Sequence, residues 1–293
     1  MHDGWLPHTT LRCGRHCLDL STPQVMGILN VTPDSFSDGG RFTQLDAALR
    51  QAEQMLNDGA SILDIGGEST RPDAKPVTLQ QELDRVLPVV EAIAQRLDVV
   101  ISIDTSTPQL FEQAASLGAT IWNDVRALTR PDALATAARL GLPVVLMHNR
   151  GEPDQMNDLA HYQDVVAEVM AELSQRVSAA LAAGLHRDNI VLDVGFGFAK
   201  TTAQNLVLLK HLSALNALSY PILSGISRKR VLGQVLADAQ GQPRPVHERV
   251  DAGVAAALYS VQQGARIIRT HDVRPTVDAL RLWQAVQYSD AVS

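Results

Sequence analysis

The sequence predicts an α/β protein, a closed (β/α)8 TIM barrel preceded by a short N-terminal β-hairpin. Eight short apolar runs recur along the chain, and amphipathic helical patterns separate them. Most of the runs end in polar residues punctuated by Gly or Pro. Strands that are apolar on both sides are what a barrel wall needs, because each is buried between the interior and a ring of helices. An open doubly wound sheet is the alternative. It is disfavoured because the count reaches eight without a change in loop pattern, and because no G-x-G-x-x-G follows the first run. At 293 residues, one barrel of roughly 250 residues nearly exhausts the chain. The expectation is therefore one domain over 1–293, with 1–24 as an extension and hairpin.

Taken in order, Leu11 and Cys13, then Cys17, Leu18 and Leu20, alternate around Gly14 and Arg15, the pattern of a hairpin placed to plug one end of the fold. The first barrel strand, 25–29, opens into Asn30 and a Pro- and Gly-punctuated loop to Gly40. Leu45, Ala48, Leu49, Ala52, Met55 and Leu56 then recur at helical spacing until Gly59. Strand 62–66 opens into Gly67, Glu68, Ser69, Thr70, Arg71 and Pro72, followed by a helix carrying Leu79, Leu83, Val86, Val90 and Ile93 around Pro88. Strands 99–104 and 120–124 precede helices expected at 108–117 and 131–140, each begun by Pro at its first turn. Strand 143–148 leads through a polar loop to a long helix with Tyr162, Val165, Val169, Leu173 and Val177 on one face, closed by Gly184. Strands 190–193, 221–225 and 266–269 complete the eight, and 273–288 is the closing helix.

Composition excludes several classes. Apolar residues are 45% and charged residues 19%, with no run near the ~20 residues of a membrane span. The opening residues Met1 to Trp5 lack a signal-peptide pattern, so a cytoplasmic protein is expected. The net charge of −7 with dispersed Lys and Arg gives no footprint for nucleic acid. Cys13 and Cys17 beside His16 admit a short-loop disulfide or a partial metal site, but no second Cys pair completes a zinc set, which favours free thiols.

Barrel strands deliver side chains to their carboxyl ends, where sites are built. There the sequence places Asn30, Glu68, Thr70, Arg71, Asp104, Asn123, His148, Asp193, Lys229, Arg269 and His271. Any one of these residues has a blander use as a helix cap or turn residue, but a whole rim of them points to a shared site. Arg71, Arg269, His271, Asn30 and Thr70 are donors of the kind that hold phosphate oxygens. Asp104, Asn123, Asp193 and Lys229 match the donor and acceptor edge of a flat nitrogen heterocycle, with a buried structural ion pair as the rival explanation. Phe196 and Phe198 stand in one Gly-rich strand-end loop, although the chain has just five Phe. That loop offers a stacking surface, with core packing of both rings as the alternative.

These blocks, together with 29–40, 67–72, 103–106, 123–124, 146–148, 227–229 and 269–273, resemble dihydropteroate synthase from about Val25 to the last helix. The resemblance implies a transferase of folate biosynthesis, of the class targeted by sulfonamides. It joins 4-aminobenzoate to 6-hydroxymethyl-7,8-dihydropterin diphosphate with release of pyrophosphate, with Mg²⁺ as cofactor and a homodimer as the expected assembly. By that resemblance Asp104, Asn123, Asp193 and Lys229 hold the pterin, and Asn30, Thr70, Arg71, Arg269 and His271 the diphosphate, with Asn30 at the metal. Phe36, Thr70, Pro72, Phe198, Ser227 and Lys229 border the aminobenzoate, and Asp104, Lys229 and Arg269 are the expected catalytic groups. The segment 34–40 is expected to act as a lid.

Val194 stands where the family often has Pro, Asn149 where Met is frequent, and 251–255 departs from the Gly and Ser pattern of some members. None of these removes a functional group. A pterin-binding methyltransferase of the related barrel superfamily would not need the diphosphate donors, and a non-catalytic pterin-binding scaffold would be expected to have lost motif residues that are present here.

Overall fold

The computed structural model describes residues 9–32, 41–68, 77–152, 155–156 and 158–289. Strands β1 (Thr10–Cys13) and β2 (His16–Asp19) form the expected hairpin, with Leu11 opposite Leu18 and Gly14 at the turn with φ +60. Eight parallel strands follow: β3 (Gln24–Asn30), β4 (Ile62–Gly66), β5 (Val100–Asp104), β6 (Ile121–Asp124), β7 (Val144–Met147), β8 (Ile190–Asp193), β9 (Ile222–Ser224) and β10 (Ala265–Thr270). They pair in chain order, and β10 closes on β3. The ring outside them contains α1 (Arg41–Asn57), α2 (Leu79–Arg96), α3 (Pro108–Ser116), α4 (Ala133–Leu140), α5 (Val165–Ala182), α6 (Thr202–Lys210), α7 (Arg230–Val235), α8 (Val250–Gln262) and α9 (Val273–Gln287).

Strand side chains alternate between faces with period 2, and that alternation organises the core. Leu63, Ile65, Ile101, Ile103, Trp122, Val144 and Leu146 face outward and pack with helix residues such as Ala52, Val86, Val90, Phe111 and Leu173. Met26, Ile62, Val100, Ile121, Val145, Val191, Leu223 and Ile267 face inward and form one apolar layer with Leu11, Cys13, Leu18 and Leu20 of the hairpin. The hairpin thus plugs the amino end of the barrel. An isolated hairpin is marginal in water. The wholly buried Leu11 and Leu20 each contribute about 1.5–3 kcal/mol by leaving water, which anchors it. Cys13 is buried and Cys17 exposed, both as free thiols, and burial and then Cys17 push the Cys13 thiol up to about 12.

Helix starts follow local chemistry. Thr78 with Gln81, and Thr201 with Gln204, make capping boxes, and Asp164 accepts from the Val166 and Ala167 amides. Two helix starts differ from the sequence expectation. Pro131 lies ahead of α4, because Asp132 takes a left-handed conformation (φ 63) and the helix begins at Ala133. Tyr162 precedes α5 and packs from its loop.

Beyond β8 the chain doubles back tightly. His148 N donates to Asp193 O, and Gly195 sits with φ +66 where an added Cβ would lie 2.0 Å from the His148 carbonyl oxygen. Only Gly satisfies both demands. Gly195→Ala is expected to cost roughly 2–6 kcal/mol from left-handed strain plus overpacking, read by urea denaturation. An unchanged midpoint would show that the backbone can shift there freely.

Candidate active site

The inward register that builds the apolar floor becomes polar one step further along each strand. Two residues beyond the floor stand Asp64 on β4, Ser102 on β5, Asn123 on β6, Asp193 on β8 and Arg269 on β10; a further step reaches Asn30, Asp104 and His271. Asp104 pairs in register with Gly66 on one side and Asn123 on the other.

Arg269 lies at the centre of this layer. Its Nε donates to Asp64 Oδ2 at 2.6 Å and its Nη2 to Asp104 Oδ2 at 2.6 Å. Asn123 Nδ2 donates to the same Asp64 oxygen at 3.0 Å. Burial lowers the affinity of a guanidinium for its proton, but Asp64 and Asp104 outweigh it and hold Arg269 charged. Burial acts on Asp104 in the opposite sense. It pushes the carboxyl up to about 7, opposed by Arg269 and Lys229 and reinforced by Asp64. Asp193 is also raised by burial, while the Gly195 amide, donating to its Oδ1 at 2.8 Å, favours the charged form. Asp64 Oδ1 and Ser102 Oγ, both buried, have no hydrogen-bond partner among the described residues.

The other wall comes from the loops after β8 and β9. Lys229, the N-cap residue of α7, places its ammonium 4.3 Å from the centre of the Phe198 ring. Ser227 Oγ lies 3.2 Å from His271 Nδ1 and accepts from the His271 amide at 3.1 Å. Arg228, strained at φ 57, is held by Asp272 through Nε–Oδ2 (3.0 Å) and Nη2–Oδ1 (2.5 Å). That carboxylate answers the cations at the start of α7, where the helix dipole disfavours positive charge.

Together these walls enclose a cavity of about 1170 Å³ bordered by Asn30, Asp104, Phe198, Ser227, Lys229 and Arg269, among others. Its volume lies just above the usual range for small-molecule pockets.

The structure brings Asn30, Asp104, Phe198, Ser227, Lys229, Arg269 and His271 to this cavity, with Asn123 and Asp193 in the layer beneath. Phe36, Thr70, Arg71 and Pro72 lie outside the described residues, as does the expected lid at 34–40. Arg269, a donor of the anion-holding kind, is paired with Asp104, an acceptor of the ring-holding kind, so the two sets of residues meet. One expectation needs adjustment. His148, expected on the rim, is buried and turned away from it, its Nε2 3.0 Å from Glu172 on α5. Sequence reasoning missed Asp64, although an Asp two residues after the inward Ile62 carried the signal. It also passed over Lys200, buried at the end of the β8 loop.

A closed parallel barrel with charged and amide side chains converging at the carboxyl ends of its strands is the architecture of a (β/α)8-barrel enzyme. Residues 26–271 match the family described as "Pterin binding enzyme". The chain is 49% identical to the dihydropteroate synthase of Haemophilus influenzae over 275 residues, covering 94% of this chain and 98% of that one. Among solved structures, the Xanthomonas albilineans dihydropteroate synthase with 4-aminobenzoic acid superposes with a TM-score of 0.89 at 46% identity, covering 96% of this chain and 98% of that one. The Yersinia pestis dihydropteroate synthase in a sulfonamide complex gives 0.88 at 48% identity, covering 95% and 99%. The chain belongs to the dihydropteroate synthases, within the pterin-binding enzymes.

Proposed function

We propose that the barrel mouth joins 4-aminobenzoate to 6-hydroxymethyl-7,8-dihydropterin diphosphate, giving 7,8-dihydropteroate and pyrophosphate. The observation that carries this assignment is the buried Asp64–Arg269–Asp104 arrangement beside Asn123 and Asp193. It offers carboxylate and amide acceptors to the ring nitrogens of a pterin and a fixed guanidinium to the adjoining diphosphate. In the reaction the bond between the pterin methylene and the diphosphate oxygen breaks, with its electron pair leaving on the diphosphate. The amine nitrogen bonds to the methylene and loses its proton. Charged Asp104 offsets the positive charge that develops on the pterin methylene, and Arg269, His271 and Asn30, together with Thr70 and Arg71, answer the negative charge on the leaving group. Phe198, Ser227 and Lys229, with Phe36, Thr70 and Pro72, hold the aminobenzoate, whose weak amine depends on positioning more than on a general base.

Mg²⁺ fits this donor set. Among the described residues no group of three His, Cys, Asp or Glu is placed to hold a metal. Mg²⁺ is commonly held by one or two protein oxygens plus substrate phosphates and water, so Asn30, which lines the cavity, would supply its amide oxygen once the diphosphate is bound. When bound, the ion neutralises part of the diphosphate charge. Dihydropteroate, followed chromatographically, is expected to stop forming on addition of EDTA and to resume with excess Mg²⁺; formation indifferent to EDTA would remove the metal from the scheme.

A homodimer is the proposed assembly. Leu206 and Val207 on α6, Val235 on α7 and Tyr259 on α8 are exposed apolar residues on helices that pack together, and sedimentation at twice the chain mass is the expected result. No helix among the described residues is long and apolar enough to cross a membrane.

A further inference from the structure

The chain from Asp193 to Lys200 carries a pterin-binding carboxylate at one end and Phe198 near the other, yet four of its internal positions are Gly or aromatic. Such a segment does not hold one shape by itself, since Gly costs the most backbone entropy to order. Its shape is imposed from behind. The Lys200 ammonium is buried and donates to the Phe198 carbonyl at 2.9 Å, to the Gly195 carbonyl at 3.1 Å and to His148 Nδ1 at 2.9 Å. Tyr162 donates its hydroxyl to the Ala199 carbonyl at 3.0 Å, at a residue with φ 48. Asn205 accepts from the Gly197 amide at 2.7 Å and donates to the Lys200 carbonyl at 3.2 Å.

The support continues outward. His148 accepts from Lys200 through Nδ1, so its Nε2 carries the proton donated to Glu172 Oε2 at 3.0 Å. Burial, and then the neighbouring Lys200 charge, lower the His148 pKa to about 3 and keep the ring neutral, as this tautomer requires. Arg150 bridges Glu172 (Nε–Oε1, 3.0 Å) and Glu168 (2.8 Å) and stacks on the Tyr162 ring 3.9 Å from its centre. A buried ammonium is costly unless its protons find partners, and here they go to two backbone oxygens of the loop that shapes the cavity and to His148 Nδ1.

We propose that Lys200 is a positioning residue for 4-aminobenzoate: by holding the Gly195 and Phe198 carbonyls it sets the turn that carries the Phe198 ring against the Lys229 ammonium. This rests on the assignment of Phe198 and Lys229 to the aminobenzoate side. Asp193 belongs to β8, which fixes its backbone, so the pterin side depends on Lys200 less than the Phe198 ring does, through the Gly195 amide that reaches Asp193 Oδ1.

Steady-state kinetics of Lys200→Met, Phe198→Leu and the double variant test this in the intact enzyme. Lys200→Met is expected to raise the KM for 4-aminobenzoate by about tenfold or more, the cost of misplacing a substrate-contacting group, and to change the KM for the pterin diphosphate several-fold less. Because Lys200 acts through Phe198, the double variant is expected to be no worse than Phe198→Leu alone. Additive effects, equal losses toward both substrates, or no change would overturn the proposal. If Phe198→Leu itself spares the KM for 4-aminobenzoate, it is the assignment of Phe198 to that pocket that fails. Lys200→Gln, which keeps an N–H donor, serves if Lys200→Met does not fold, and failure of both to fold would make Lys200 a residue of the fold and overturn the proposal.

Discussion

Arg269→Ala is expected to cost the fold about 3–5 kcal/mol, because it strands two buried carboxylates that share one guanidinium. Asp64 has no exposed surface and Asp104 is 9% exposed, so neither recovers the lost interaction from water. The cost should appear as a fall in the urea midpoint. It should be partly repaired in the Arg269→Ala/Asp64→Asn double variant, in which one stranded charge is also removed. An uncorrected double variant would mean that Arg269 acts by packing rather than by charge. The same substitution is expected to weaken binding of the pterin diphosphate far more than binding of a free pterin, measured by calorimetry. Equal losses would assign the guanidinium to the ring and leave the diphosphate to other donors.

Asp104→Asn is expected to lower kcat by roughly 10²–10³-fold, the usual scale for removing a preorganised electrostatic contact to a developing charge. The residue keeps an oxygen facing Arg269, so the fold should survive. Burial pushes the Asp104 carboxyl up to about 7, and the charged form is the one the chemistry uses. In the free enzyme the fraction of charged Asp104 grows as pH rises, so kcat/KM should climb toward pH 7 and level off above it. The diphosphate also ionises in this region, so the variant is the control. The part of the rise that disappears in Asp104→Asn belongs to Asp104. A profile identical in both proteins would contradict the role given to that charge.

The barrel was legible because its two periodicities do not resemble each other. Runs such as 62–66 and 100–104 are buried on both faces and mostly apolar, whereas α2 shows one apolar face. The hairpin was legible from Leu11, Cys13 and Leu18 alternating about a Gly turn. Site residues at the last position of a strand, Asp104 and Asp193, could be found by position alone. Asn123 and Arg269, one residue short of a strand end, were found as well, but Asp64, two residues short, was not, because facing is set by register and not by nearness to the strand end.

Asp64 and Arg269 share the inward face with Ile62 and Ile267, one step above the apolar floor, and therefore meet inside the barrel. His148 fails for the same reason with opposite sign. Val145 is inward, so Met147 is too, and the next residue turns toward α5 and Glu172. Lys200 was illegible because its partners are mostly backbone carbonyls, which leave no trace in side-chain pattern. The α4 start was misplaced because Pro at a first helical turn is only a preference, and left-handed residues at Ala127, Leu128 and Asp132 reshape the approach.

In the proposed reaction one mouth holds both substrates, and the diphosphate departs as the amine takes its place. The most direct measurement is pyrophosphate release by the purified enzyme with Mg²⁺ and the pterin diphosphate, with and without 4-aminobenzoate. Release that depends on 4-aminobenzoate and matches the dihydropteroate formed is the predicted result. No release, or release that proceeds equally without the amine, would contradict it.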